Sequence, residues 1–508
     1  MIDKYKLAFD LLQRKEFNSA NNLFKEILEL DPNNYEILNI LGGIAFLNND
    51  LDEAKTYLNK SIKIKPDYFQ SHNNLGKTYL KLKKYNEALI CFNNSLELEN
   101  NNFESLYNKG NTLFELNEYN EAIECYNECI NQNSKHFLSY YSIGNCFSGL
   151  FKFKEAIQFY DSASKIQPKF FKTYLNKGNI LYHLSKYDDA ANNYKKVLEI
   201  YPNSIDAKYN LSLIKLLKGD FSKGWDLYEY RLKKYLKINR HKNINLLSNL
   251  KNIKNKKILV SYEQGHGDTI QFSRYVNKLI DLGAEVTFEV QKDLFKLFKN
   301  NFKCSIKKSI DKNSFFDFHT CLLSLPKIFE TQLDTIPNPI NILLDNKVTN
   351  EWKKKLNLTS GKNKINIGLS ISGSQNHKDN FKRSVPLSSM EPLLNFGNFF
   401  LIQKELNEED DKFLKQKHQI INLGPMIKNF SDTSQILKCM DLVITVDTSI
   451  AHLSGSLKKK TFLLLCSSPE WRWLLNKNDS PWYPTIKIFR QKKPFEWGEV
   501  INAIKNML

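Results

Sequence analysis

The stretch "GKTYLKLKKYNEA", residues 76–88, carries three marks: Gly76, Tyr85 and Ala88. Each returns at a constant interval of 34 residues. Glycine recurs at 42, 76, 110, 144 and 178, and alanine at 54, 88, 122, 156 and 190. A third register holds Phe17, Leu51, Tyr85, Tyr119, Phe153, Tyr187 and Phe221. Pro32, Pro66, Pro168 and Pro202 mark the ends of units. Small residues at two registers let antiparallel helices approach closely, and a proline stops the second helix of a pair.

This ruler resembles the tetratricopeptide repeat, which implies an α-solenoid of about seven helix pairs over residues 1–235. The last unit, "GDFSKGWDLYEYRLKKY", departs from the pattern, as expected of a repeat that caps the array or docks to the C-terminal half of the chain. Two residues before the glycine register stand Ile40, Asn74, Asn108, Ser142, Asn176 and Asn210. An asparagine amide both donates and accepts, so it suits a peptide backbone. Asn74, Asn108, Asn176 and Asn210 therefore form a candidate peptide groove, similar to the asparagine ladder of O-linked N-acetylglucosamine transferases. A solvated groove in an asparagine-rich chain is the competing reading.

Composition narrows the function classes. With 508 residues, 42% apolar and 25% charged, the chain suits a soluble protein of two or three domains. The N-terminus "MIDKYKLAFDLLQRKEF" lacks the apolar core of a secretory signal, and no run reaches the length of a membrane span. A cytoplasmic, bacterial protein is the expectation. Eight cysteines form no CxxC pair, and Cys125 with Cys129 has no third ligand to complete a metal spacing. Reduced thiols and no metal are expected. The net charge of +18 comes overwhelmingly from lysines spread along the chain, which is the mark of an AT-rich coding bias; no nucleic-acid partner is inferred from it. The scarce arginines are more informative, and Arg274, Arg383, Arg472 and Arg490 fall in unusual stretches.

Beyond a basic linker at 236–256 the period changes. "KILVSYE", "AEVTFEV", "INIGLSIS", "NFFLIQKE", "DLVITVD" and "TFLLLC" are short β-prone runs, most of them separated by helical patterns. That alternation predicts parallel sheets in two lobes, 257–345 and 364–508, with a break between them. Chemistry is expected just past the strand ends. The first such loop, in "SYEQGHGDTIQF", holds Gly265, His266, Gly267 and Asp268, and neither a dinucleotide fingerprint nor a P-loop is complete there. Asp268 reads equally as a helix cap or as a group aimed into a crevice. In "VDTSIAHLSG", Asp447, Thr448 and Ser449 open a helix that carries His452; its free N–H groups suit a diphosphate, whereas an ordinary capped helix with a core histidine is the plainer reading. Lys382 and Arg383 come after another strand, and Gln403 and Lys404 end "LIQK". Trp471, Trp473, Trp482 and Trp497 suggest either a sugar platform or a packed seam, the seam being favoured.

Together, "GHGDTI", "KRSVPL", "DLVITVDTSIAHLSG" and "DSPWYP" resemble glycosyltransferase family nine, the ADP-heptose:lipopolysaccharide heptosyltransferase group, and the whole chain resembles bacterial tetratricopeptide proteins carrying such a domain. The resemblance implies a GT-B fold, two Rossmann-like lobes after the solenoid, and inverting transfer without metal or cofactor. It implies Asp268 as general base, Thr448, Ser449 and His452 lining the nucleotide-sugar site, and Asp447 fixing that turn. Arg383 and Lys404 would steady the leaving diphosphate. Expected partners are a nucleotide-sugar and, through the repeats, a protein or an envelope-polysaccharide assembly partner. Ser449 stands where the family usually has glycine, and the first lobe is short, so heptose specificity does not carry over. The alternative is a non-catalytic adaptor with a degenerate nucleotide-binding domain. The acidic run "NEEDD" (407–411) is expected to be a surface helix start and not a metal site.

Overall fold

A computed structural model of the chain describes all residues except 1, 236–239, 312, 357, 359–363 and 376–379. The start of the basic linker and part of the inter-lobe break lie outside the described residues. The chain divides into two compact units: 1–181 with 199–202, and 182–198 with 203–508.

Among the described residues, fourteen helices pair from Ile2–Gln13 and Phe17–Leu30 through Ile205–Leu217 and Phe221–Tyr228. The registers explain the pairing. A Cβ on Gly42, Gly76, Gly110 or Gly144 would lie 2.6–2.7 Å from Leu58, Phe92, Tyr126 or Tyr160, sixteen residues on in the second helix of the same pair. Alanines 54, 88, 122, 156 and 190 have no exposed surface. The turn within each pair places one residue in the left-handed region: Lys15, Asn49, Lys83, Asn117, Phe151, Ser185 and Gly219, again 34 apart. Serines add a lock, with Ser61 Oγ 2.7 Å from Ser71 Oγ and Ser95 Oγ 2.8 Å from Ser105 Oγ.

The atypical last repeat belongs to the second unit. Its side chains Phe221, Trp225, Tyr228 and Arg231 are buried. Trp225 stacks edge-on against Trp471 (5.3 Å) and donates from Nε1 to Thr331 O (3.0 Å). Arg231 grips Glu263 with two nitrogens (2.8 and 3.0 Å) and donates to Glu229 and Ser324. A compact unit therefore begins within the repeats and not at residue 235: this repeat spends its apolar face on the α/β half, so it docks.

Four strands, β1 (Lys257–Ser261), β2 (Glu285–Glu289), β3 (Ser305–Lys307) and β4 (Phe318–Cys321), form a parallel sheet in the order β3-β2-β1-β4. Six more, β5 (Ile365–Ser370), β6 (Gly397–Leu401), β7 (Ile420–Asn422), β8 (Leu442–Val446), β9 (Thr461–Leu465) and β10 (Ile486–Arg490), form a second in the order β10-β9-β8-β5-β6-β7, also all parallel. The expected alternation is present. β3, β4, β7 and β10 are not among the six expected runs; three of them have four residues or fewer, too short for a period-two pattern to register.

Two connecting segments carry structure of their own. The described part of the linker is not free: Leu247 N donates to His319 O and His319 N to Asn245 O (2.8 Å each), so it covers the open edge of β4. The inter-lobe break holds a helix, Asn346–Lys355, whose Thr349 Oγ1 donates to Gln435 of the second lobe (2.6 Å). The acidic run does start a helix, Glu408–Gln416, but Asp410 is buried and accepts from Leu387 N (2.7 Å). No helix among the described residues is long and apolar enough to cross a membrane.

Candidate functional site

In parallel sheets all strand C-termini share one edge, and the order of the second sheet switches direction between β8 and β5. Crevices open at such points because adjacent connections run to opposite faces. The loop after β5 brings Gly373, Ser374 and Arg383, the loop after β8 brings Asp447, Thr448 and Ser449, and the loop after β9 brings Glu470 and Arg472. The loop after β1 brings Gly265–Asp268 from the first sheet. These residues line one cavity of about 410 Å³, together with Gln264 and His452.

Gly267 and His452 explain each other. A Cβ on Gly267 would lie 2.7 Å from His452 Cδ2 and 3.4 Å from Ser449 Cα, so only glycine lets the first-lobe loop rest on the second-lobe helix Ser449–Ser456. His452 is itself buried, stacked on Trp473 at 5.3 Å and hydrogen-bonded to Tyr483 OH at 3.3 Å. Burial, reinforced by Arg472 and Arg274, drives its pKa well below the usual value, so it is neutral. It is packed as a core histidine and also forms part of the cavity wall.

Asp268 sits at the third helical position of His266–Phe272, and its Oδ2 accepts from Gly265 N (2.9 Å). Its Oδ1 is paired with Arg472 Nη2. Cap and crevice group are thus one residue. Arg472 also donates from Nη1 to Glu470 (2.7 Å), while its buried Nε has no hydrogen-bond partner. Burial opposes the Arg472 charge, but Asp268 and Glu470 prevail and hold the guanidinium firmly protonated. Arg383 Nη1 donates to Asp447 O (2.8 Å). Burial and the Glu470 charge push the Asp447 carboxyl up to about 6. Thr448 caps the helix by accepting from Ile450 N (3.3 Å).

A second cavity, about 240 Å³, shares His266, Gly373, Ser374, Thr448 and Ser449 with the first and runs on to Asn429, Phe430 and Thr433. Lys404 lines this smaller cavity and not the larger one, its Nζ donating to Lys428 O (3.2 Å). Gln403 pins the loop after β5, accepting from Ile371 N (2.8 Å) and donating to Ser372 Oγ (3.0 Å). His266 lies against Phe430 (ring centroids 5.0 Å). Among the described residues no cluster of His, Cys, Asp and Glu is arranged to hold a metal.

Of the expected site, Gly265, His266, Gly267, Asp268, Arg383, Asp447, Thr448, Ser449 and His452 come together; Lys404 stands one cavity along. Sequence reasoning misses Glu470 and Gly373, since neither sits in a distinctive pattern. Arg472 is signalled only by the scarcity of arginine. Trp471, Trp473, Trp482 and Trp497 are all buried; Trp471 and Trp482 meet Phe272 of the first lobe and so pack in the seam, whereas Trp497 lies in the core of the second lobe. Trp471 meets Trp225, Tyr228, Phe272 and Trp482. In the groove register, Asn74 donates to Asn39 Oδ1 (2.8 Å), and Asn176 to Tyr141 OH and Asn145 Oδ1 (2.9 Å each). Those amides bridge consecutive repeats.

Models of the tetratricopeptide repeat match residues 11–75, 69–102, 103–136, 138–170 and 171–204. The N-terminal array is a tetratricopeptide-repeat solenoid. Its repeats mark the chain as one that engages protein partners. No curated protein matches the chain significantly. Among solved structures, a tetratricopeptide repeat protein from Parabacteroides merdae ATCC 43184 shares 18% identity over 47% of this chain and 94% of its own, at a TM-score of 0.39. MamA (41-end) from Desulfovibrio magneticus RS-1 shares 19% over 34% of this chain and 96% of its own, at 0.32. YrrB, described as having an unusual peptide-binding site, shares 17% over 36% and 95%, at 0.32.

Proposed function

We propose that this chain is an inverting, metal-independent glycosyltransferase of GT-B type, moving a sugar from a nucleotide-sugar to an acceptor recruited by its repeats. The observation that carries the reading is the 410 Å³ cavity, in which Arg383, Arg472 and the N-terminus of helix Ser449–Ser456 face Asp268 and Asp447 past the ends of parallel strands. Cations and free N–H groups suit a diphosphate leaving group, and carboxylates suit the acceptor proton. In the step itself the acceptor oxygen bonds to the anomeric carbon as the bond from that carbon to the diphosphate breaks. The electron pair leaves with the nucleoside diphosphate and the acceptor proton passes to a carboxylate. The adjoining 240 Å³ cavity, with Phe430 and Asn429, suits the nucleobase. Thiols without disulfides and a nucleotide-sugar donor fit a cytoplasmic setting.

The test is thermal unfolding of the full chain against ADP-, UDP-, GDP- and CMP-sugars. A ligand that binds only the folded state raises the transition according to its concentration over Kd. A rise with one nucleotide, lost in Arg383→Ala, supports the donor site; no rise with any refutes it. One observation favours a second reading, the non-catalytic adaptor: both Asp268 oxygens are already engaged. Donor binding with neither transfer nor donor hydrolysis selects that reading.

A further inference from the structure

The second helix of each earlier repeat pair has fourteen residues, from Phe17–Leu30 to Tyr187–Ile200, whereas the last, Phe221–Tyr228, has eight. The chain therefore turns at Tyr228, and the short helix Arg231–Lys234 follows. A repeat that only caps the array needs an apolar face. This one also buries a charge pair at the root of the loop that holds Asp268. The Arg231 and Glu263 side chains have no exposed surface, and Glu263 accepts from Leu323 N as well (2.7 Å). Glu263 stands two residues past β1 and five before Asp268.

From there the contacts close a ring. Arg231 lies over the Tyr228 ring, its Cζ 4.7 Å from the centroid. Tyr228 meets Trp471 edge-on at 5.7 Å, and the Arg472 guanidinium rests on Trp471 with Cζ 4.5 Å from the centroid. Arg472 pairs with Asp268, which returns to the loop that began at Glu263. Both members of the cross-lobe pair are thus held from the last repeat, one through Glu263 and the other through Trp471. The Tyr228 phenol stands between them: burial keeps it neutral, while Arg472 and Arg231 act on it in one sense and Asp268 and Glu263 in the other. All six residues belong to the same compact unit.

We infer that Tyr228 and Arg231 are positioning residues of the donor site, the last repeat setting where Arg472 and Asp268 stand. This rests on the donor reading above. Neither side chain lines the 410 Å³ cavity, so neither touches what binds there. The need for outside support is physical. Between Glu263 and Asp268 the loop carries Gly265 and Gly267, whose backbone freedom leaves the carboxylate to be placed by its anchors. A bidentate guanidinium fixes orientation as well as distance, which a lysine ammonium does not. Arg472 leaves its Nε without a hydrogen-bond partner, and the aromatic face beneath the guanidinium supplies its seat.

The experiment measures donor Kd by calorimetry on the full chain, using the nucleotide-sugar that raises its unfolding transition and working well below each variant's own transition. Arg231→Lys and Tyr228→Leu should each weaken the donor about fivefold or more, while Tyr228→Phe, which keeps the ring, stays at the wild-type value. In an Arg472→Gln background the same two substitutions should change donor affinity by less than about twofold, because the pair they place is already broken. Ile504→Ala, in the core of the second lobe, is the control for lost stability and should bind as wild type does. Wild-type affinity in folded Arg231→Lys or Tyr228→Leu overturns the inference. So do losses that persist with Arg472→Gln, and a loss of the same size in Ile504→Ala. No donor binding by the wild type instead brings down the donor reading, and this inference with it.

Discussion

Gly267→Ala tests the interlock of the two lobes without assuming any activity. Elsewhere, alanine in place of a helical glycine stabilises by about 1 kcal/mol. Here the added methyl meets His452 Cδ2 at 2.7 Å and has Ser449 Cα at 3.4 Å. His452 has no easy retreat, because Trp473 stacks on its ring and Tyr483 holds Nδ1. Inserting a methyl into such packing costs about 1–3 kcal/mol. Subtracting the propensity gain leaves a net loss of up to about 2 kcal/mol, a fall of as much as a few degrees in the unfolding transition of the second unit. The assay is thermal unfolding of wild type, Gly267→Ala, His452→Ala and the double variant. Because His452→Ala removes the obstacle, the double variant should recover a coupling of about 1 kcal/mol or more. A Gly267→Ala protein as stable as wild type, or more so, with additive effects in the double variant, would refute the interlock.

Buried charge gives three further expected outcomes. Arg231→Met should lower the stability of the second unit by about 3–5 kcal/mol, since Glu263 is then left buried and unpaired; an unchanged transition would show the last repeat is not docked through that pair. The Asp447 carboxyl, raised to about 6 chiefly by burial, contributes stability below the ordinary carboxylate range that is lost as pH rises through 6. Asp447→Asn should therefore stabilise by about 3 kcal/mol at pH 8 and by nothing near pH 4; equal effects at both would contradict the shift. His319, pushed down to about 4 by burial, has the opposite sign: its stability is full above 6.5 and drains as pH falls toward 4, so His319→Asn should flatten the acid limb of a transition-against-pH curve.

The repeats are legible because a solenoid writes its geometry at a fixed period: the glycines that touch the next helix and the buried alanines recur 34 apart. The loops are legible because a turn at a strand end needs glycine or a cap, and "GHGD" and "VDTS" are such turns. Cross-lobe chemistry is not. Arg472 and Asp268 are 204 residues apart and nothing in either neighbourhood names the other. In sequence the asparagine ladder looks like a row of free amides, yet a side chain in a groove also faces the next repeat, and Asn74 and Asn176 spend their donors there.

The Asp268–Arg472 pair constrains how the proposed transfer must run. A carboxylate whose oxygens are held by Arg472 and by Gly265 N has little to offer an acceptor proton. Arg472, however, has a buried Nε without a partner, and it shares the cavity with the N-terminus of helix Ser449–Ser456. A diphosphate entering there brings charge that competes with Asp268 for the guanidinium and supplies Nε with an acceptor. On the proposed function, donor binding would then release the carboxylate in the order the chemistry needs. Arg472→Gln separates this account from a purely structural pair. If Arg472 is the donor's cation, the variant loses about tenfold or more in nucleotide-sugar affinity by calorimetry, although Asp268 is freed. If the arginine serves only to anchor Asp268, donor affinity stays at the wild-type value, and the release mechanism is refuted.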